Sequence, residues 1–231
     1  MSAAHGFRAG RRKRPRQHGS GDIEGGPGDS GFGRGGAEFG EGDAESGQGE
    51  FEIGEGDAEM KKRLAYQGRS ISVWVEEATL PNGHTTPLDI VRHPGASAVV
   101  PFESESDVLL IRQFRHAAGG TIWEVPAGKL DGDAPELCAA RELEEEAGRR
   151  AGRLVPLATI WTTPGFTDER IHLFAAFDLE PVPHRREIDE VIELVRMPLD
   201  DALALVWSGE LADAKSALAL VHAARHLGRL R

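Results

Sequence analysis

The chain has 231 residues, a formal net charge of −11 and 39% hydrophobic residues, enough for a core but acidic overall. That charge argues against general nucleic-acid binding, which needs Lys and Arg to neutralise phosphate, and no apolar run approaches the ~20 residues that span a bilayer. One cysteine, Cys138, excludes an internal disulfide and fits a reducing compartment, so a cytoplasmic location is expected.

More than half of the 29 glycines lie before Met60. Residues 1–60 carry almost no aliphatic side chains and cannot bury enough apolar surface to offset chain entropy, so a disordered Gly-rich and acidic tail is expected. Gly-Glu-Gly-Asp-Ala-Glu occurs at 40–45 and again at 54–59, ending against Met60. Met60 is therefore a candidate initiator, with the preceding residues read in frame from upstream. The basic cluster Arg11 to Arg16 has no apolar segment beside it, and no secretory signal is expected.

Folded character starts near Met60. Ile71, Val73 and Val75 alternate with Ser72, Trp74 and Glu76, the period of a half-buried strand. Asn82-Gly83 signals a hairpin into a second strand over Leu88 to Arg92. This β unit, 61–95, has little core of its own and needs another surface to lean on. From 96 to 231 the pattern predicts strands over Ser97 to Phe102 and Asp107 to Phe114, joined as a hairpin across Glu103 to Ser106. Thr121 to Pro126 follows, then a helix from Pro135 to Gly148. Further strands are expected over Leu154 to Thr162, Ile171 to Leu179 and Glu190 to Val195, and helices over Pro198 to Trp207 and Lys215 to Leu227. Mixed strands with interspersed helices indicate an α/β layered domain.

The helix at 135–148 carries the chemistry. At 100° per residue, Glu142, Glu145 and Glu146 share one arc, with Leu137, Ala140, Leu143 and Ala147 opposite. Like charges at this spacing repel unless a cation compensates. Oxygen-only clusters suit Mg²⁺ or Mn²⁺, hard ions that also bind phosphates. A solvated face is the commoner use of a Glu-rich run.

The order Arg141-Glu142-Leu143-Glu144-Glu145-Glu146-Ala147-Gly148 resembles the core of the Nudix box. Two positions depart: Asp133 stands where the box has its first Glu, with Gly128 one residue closer than usual, and Arg149 occupies the closing aliphatic position. Ile111 to Arg115, Trp123 to Lys129, Pro164 to Glu169 and Gly209 to Ser216 are each similar to segments of the ADP-ribose pyrophosphatase branch of the Nudix hydrolases. The resemblance covers 61–231. It implies a Nudix-type α/β/α sandwich with a mixed sheet, preceded by the small N-terminal β unit.

The resemblance also implies roles. Glu142, Glu145 and Glu146, with the backbone carbonyl of Ala127, would hold Mg²⁺, or Mn²⁺ in its place. Arg115, Glu124, Gly165 and Glu169 would bind substrate, and Glu145 or Glu190 would act as the catalytic base. A homodimer is implied, with the β unit reaching towards the partner and the nucleotide. The expected reaction is hydrolysis of ADP-ribose to AMP and ribose 5-phosphate. GDP-mannose or another ADP-sugar is the alternative substrate, and a sensor that binds ADP-ribose without cleaving it is the alternative class. Arg141 is expected to clamp the helix carboxylates, Cys138 to be a small semi-buried side chain, and Trp74, Trp123 and Trp161 to be core residues.

Overall fold

The computed structural model describes residues 61–185 and 191–230, which lie in the compact unit Gly56–Arg231. The expectations for residues 1–60 and for Glu190 fall outside the described residues. The described chain opens with β1 (Lys62–Gln67), β2 (Ser72–Thr79) and β3 (Thr85–Arg92), an antiparallel sheet in the order β1-β2-β3. The turn between β2 and β3 uses Gly83 at φ 82°, a left-handed conformation natural to glycine. The strand β1 has no sequence signal comparable to that of β2, and all six of its residues are exposed.

The β unit leans on the rest of the chain through one seam. The Val91 amide donates to the Phe166 carbonyl at 2.7 Å. Arg92 donates to Asp168 at 2.9 Å and to both oxygens of Glu76 at 2.7 Å. The loop 162–169 is thereby tied to β3.

Next come β4 (Ala96–Pro101), β5 (Asp107–Arg115), a 3₁₀ turn (His116–Ala118), β6 (Gly120–Glu124), β7 (Ala127–Lys129) and α1 (Pro135–Ala147). Then follow β8 (Arg149–Trp161), β9 (Arg170–Pro181), β10 (Ile192–Pro198), α2 (Leu199–Ser208) and α3 (Ala214–His226). One sheet has the order β7-β4-β9-β8, mixed because β4 runs parallel to β9, and a second has the order β10-β5-β6. The expected hairpin of β4 with β5 does not form. Only a bridge from Phe102 to Val108 joins these segments, and β5 pairs with β6 and β10 instead. A short polar connector permits a hairpin but equally permits a strand to cross to a second sheet.

Every residue of β4 is buried because layers cover both of its faces. Ala98 and Val100 pack with Leu173 of β9 and Leu220 of α3, whereas Val99 packs with Phe174 of β9 and Leu143 of α1. Each fully buried aliphatic side chain contributes about 1.5–3 kcal/mol, which makes this strand the centre of the sandwich. Of the three tryptophans expected in the core, Trp123 packs half-buried against it, Trp74 is half-buried in β2, and Trp161 is 51% exposed, stacked under Arg170.

Candidate active site

Pro135 opens α1 at a position that tolerates the missing amide proton, and Gly148 closes it at φ 60°. The buried arc of α1 is Cys138, Ala139, Glu142, Leu143, Glu146 and Ala147, whereas Leu137 is exposed. This corrects the expected division of the helix. Glu142 and Glu146 lie on the inward arc beside the apolar residues, not on an opposite, solvated one. Glu144 is separate and pairs with Arg150 at 2.7 Å, which holds its carboxyl below the usual range.

The Ala127 amide and the Arg141 guanidinium hold the helix carboxylates in place. Glu146 Oε2 accepts from the Ala127 amide at 2.9 Å. Arg141 donates to Glu142 at 2.7 Å, to Glu145 at 3.1 Å and to the Lys129 carbonyl at 3.1 Å, the clamp expected of it. Asp133 reaches the same guanidinium at 3.5 Å. Burial would lower the Arg141 pKa, but the charge of Glu142 and the Glu145 hydrogen bond hold it above its ordinary value. Gly128 leaves room for Glu142, since a Cβ there would fall on the carboxylate. Beneath them the Cys138 thiol donates to the carbonyls of Gly128 (3.4 Å) and Lys129 (3.2 Å), and it is fully buried, more so than expected.

A cavity of about 460 Å³ opens over this arrangement, bounded by Ala127, Gly128, Glu142, Glu145 and Glu146 and by the cations Arg115, Lys129 and Arg141. Glu169 and His93 close one side, with Glu169 accepting from Thr162 at 2.9 Å and lying 3.5 Å from His93 Nδ1. Arg115 and Glu124 form a bidentate pair at 2.7 and 3.1 Å, and Lys215 adds a contact to Glu124 at 3.3 Å. Burial works against the Arg115 charge, but Glu124, with Glu146 and Asp213, raises its pKa above the usual value. Gly165 is exposed and stands outside the lining, so the structure does not bring it to this cavity.

Sequence reasoning missed a second support. Asp213 caps α3 by accepting from the Ser216 amide at 3.0 Å, and the fully buried Ser216 hydroxyl accepts from the Val125 amide at 2.9 Å. The start of α3 thus pins the strand end between Glu124 and Ala127. The signal was the Asp-x-x-Ser spacing of a helix cap. Among the described residues, no three His, Cys, Asp or Glu converge as a ready metal cage. The donor chemistry nonetheless fits a hard divalent cation: the carboxylate-bearing Glu142, Glu145 and Glu146 line one cavity together with Ala127, and Gly128 makes space for one of the carboxylates.

Fold and site together define the class, an α/β/α sandwich hydrolase with its acidic groups on one inward helix face against a glycine-backed cavity. The family model described as NUDIX domain matches residues 91–218, and the chain belongs to the Nudix hydrolase family. It is 43% identical over 162 residues to an ADP-ribose pyrophosphatase of Bacillus subtilis, covering 69% of this chain and 88% of that protein. It is 36% identical over 152 residues to a GDP-mannose pyrophosphatase of Cronobacter sakazakii, covering 58% and 79%. A solved structure, titled as that of an ADP compounds hydrolase, superimposes with a TM-score of 0.64 at 22% identity, covering 74% of this chain and 95% of that one. This last likeness concerns the fold.

Proposed function

We propose that this protein is a Mg²⁺-dependent pyrophosphatase that hydrolyses ADP-ribose to AMP and ribose 5-phosphate, with Mn²⁺ able to replace Mg²⁺. The observation that carries this reading is a cavity bounded together by three helix carboxylates and three cationic side chains, in a chain 43% identical to the Bacillus pyrophosphatase. Glu142, Glu145, Glu146 and the Ala127 carbonyl would hold the cation, which supplies neutralisation of the diphosphate and polarisation of its P–O bonds.

The chain's own groups do the rest. Arg115 and Lys129 attract the diphosphate oxygens, while Glu124 fixes the Arg115 guanidinium in orientation and Glu169 closes the side of the cavity. Water attacks one phosphorus and the bridging P–O bond breaks, releasing the second phosphate as leaving group. The water proton passes to a carboxylate, Glu145 at the cavity wall or Glu190. Gly165 would act from the loop 162–169 once substrate is bound. The acting form is a homodimer in the cytoplasm. Exposed Leu64, Tyr66, Ile71 and Leu88 on the β1-β2-β3 unit support a contact with a second copy, and the single cysteine fits a reducing compartment.

A second reading, a GDP-mannose or other ADP-sugar pyrophosphatase, is favoured by the Cronobacter relative. The test is AMP release from ADP-ribose by the full chain, loss of that release in EDTA, and its recovery with Mg²⁺. Faster cleavage of GDP-mannose in a side-by-side panel would replace the first substrate with the second. Binding of ADP-ribose without cleavage would make the protein a sensor.

A further inference from the structure

Gln113 has no part in the site as described so far. It is 5% exposed and lies on the cavity wall beside Arg115, Glu142 and Glu146. Its Oε1 is the one buried side-chain polar atom among the described residues without a hydrogen-bond partner. Ile111, Gln113 and Arg115 project from the same face of β5. Directly across the two strand pairings stand Ile122 of β6 and Ile192 of β10, whose side chains have nothing to donate. A buried carboxamide oxygen with no hydrogen-bond donor from the described residues is uncommon and points to a ligand.

We propose that Gln113 is a substrate-binding residue whose carboxamide oxygen accepts a hydrogen bond from a sugar hydroxyl of the bound nucleotide sugar. This rests on the pyrophosphatase reading above. An oxygen acceptor repels the diphosphate, which offers only acceptors at neutral pH. The hydroxyls of the sugars, joined directly to that diphosphate, are the donors nearest the carboxylates. The terminal torsion of a glutamine is broad, so the oxygen turns into the cavity without movement of β5. An unpaired acceptor weakens the empty protein, and a ligand hydroxyl recovers that loss on binding.

Gln113→Met keeps the side-chain length and removes the acceptor, and Gln113→Leu serves as the second variant should the first fail to fold. Binding of a methylene-bridged ADP-ribose, which cannot be hydrolysed, is measured by calorimetry with Mg²⁺ present. Mn²⁺ affinity is measured separately by electron paramagnetic resonance without nucleotide. The expected result is a Kd for the analogue raised roughly tenfold or more, with Mn²⁺ affinity and the far-UV spectrum unchanged. The melting temperature of the variant without ligand should equal or exceed that of the parent. An unchanged Kd overturns the role of Gln113 while leaving the function standing. A parallel loss of Mn²⁺ affinity reassigns the amide to the cation and also overturns the proposal. Failure of the parent protein to bind any nucleotide sugar overturns the function and this inference together.

Discussion

The carboxylate of Glu142 rests directly over the α-carbon of Gly128, in space that a side chain at 128 would fill. The helix and the strand-to-helix segment were linked in the sequence only as parts of one motif, and the contact supplies the physical reason. Gly128→Ala should push Glu142 aside. We expect about 1–3 kcal/mol of destabilisation from overpacking and a loss of turnover exceeding the loss of folded protein. Urea denaturation and AMP release on the same sample check both.

Glu146 is 2% exposed and accepts from the Ala127 amide. Glu146→Gln keeps an oxygen for that hydrogen bond and removes the charge. Turnover should fall more than about 100-fold with the fold intact, because an anionic donor is lost and packing is not. Near-normal activity at saturating Mg²⁺ would count against the assignment.

Arg115 and Glu124 hold each other, with Glu124 at 3% side-chain exposure and Arg115 at 40%. Arg115→Met leaves the carboxylate with Lys215 alone. Breaking a fully buried pair costs about 3–5 kcal/mol, and the half-open position of Arg115 reduces this to about 2 kcal/mol. Adding Glu124→Gln to the variant should restore part of that stability in a double-mutant cycle but should not restore substrate affinity.

Asp168 bears on acid stability. Burial would raise its pKa, but the Arg92 hydrogen bond and the His93 amide hold it below the usual 3.8. A depressed folded-state pKa contributes stability above the unfolded value, and that stability is lost as pH falls through the folded one. Melting temperature should therefore drop below about pH 4, and Asp168→Asn should flatten that limb while lowering stability at neutral pH. Equal slopes for the two proteins would remove Asp168 as a cause.

Cys138 is fully buried, and burial together with the Glu142 charge raises its pKa. Iodoacetamide at pH 8 should label it only after denaturation, since the thiolate is the reactive form. Mass spectrometry of the folded and unfolded protein reads the difference directly.

Much of the fold was legible because local periodicity reports local structure. Pro135 and Gly148 mark the ends of α1 as expected, and β2, β5 and β9 fall on the expected spans, whereas β8 begins at Arg149, five residues before the expected Leu154. The three-residue β7 and the exposed β1 were missed, being too short or too polar to show a period. The partner of β5 was misread because the residues after Phe102 carry no information about which sheet receives the strand. Trp161 was expected in the core as an aromatic residue, yet it lies at the end of β8 under Arg170.

The candidate site divides the same way. Glu142, Glu145, Glu146 and Arg141 could be read as one constellation because they sit within six residues of a helix, where covalent geometry sets their relative directions. Arg149, standing where the family pattern has an aliphatic residue, became intelligible only through Glu103, which pairs with it at 2.9 and 3.0 Å from 46 positions away.

The amino-acid order alone determined the acidic helix, its limits and the chemistry that three neighbouring carboxylates can perform. Tertiary structure decided that Glu142 and Glu146 turn inward, that Arg115 is held by Glu124, and that Gln113 keeps an unpaired oxygen at the cavity wall. The reason is separation along the chain: directions within one helix follow from its 3.6-residue turn, whereas contacts between distant strands exist only after the sheets have chosen their neighbours.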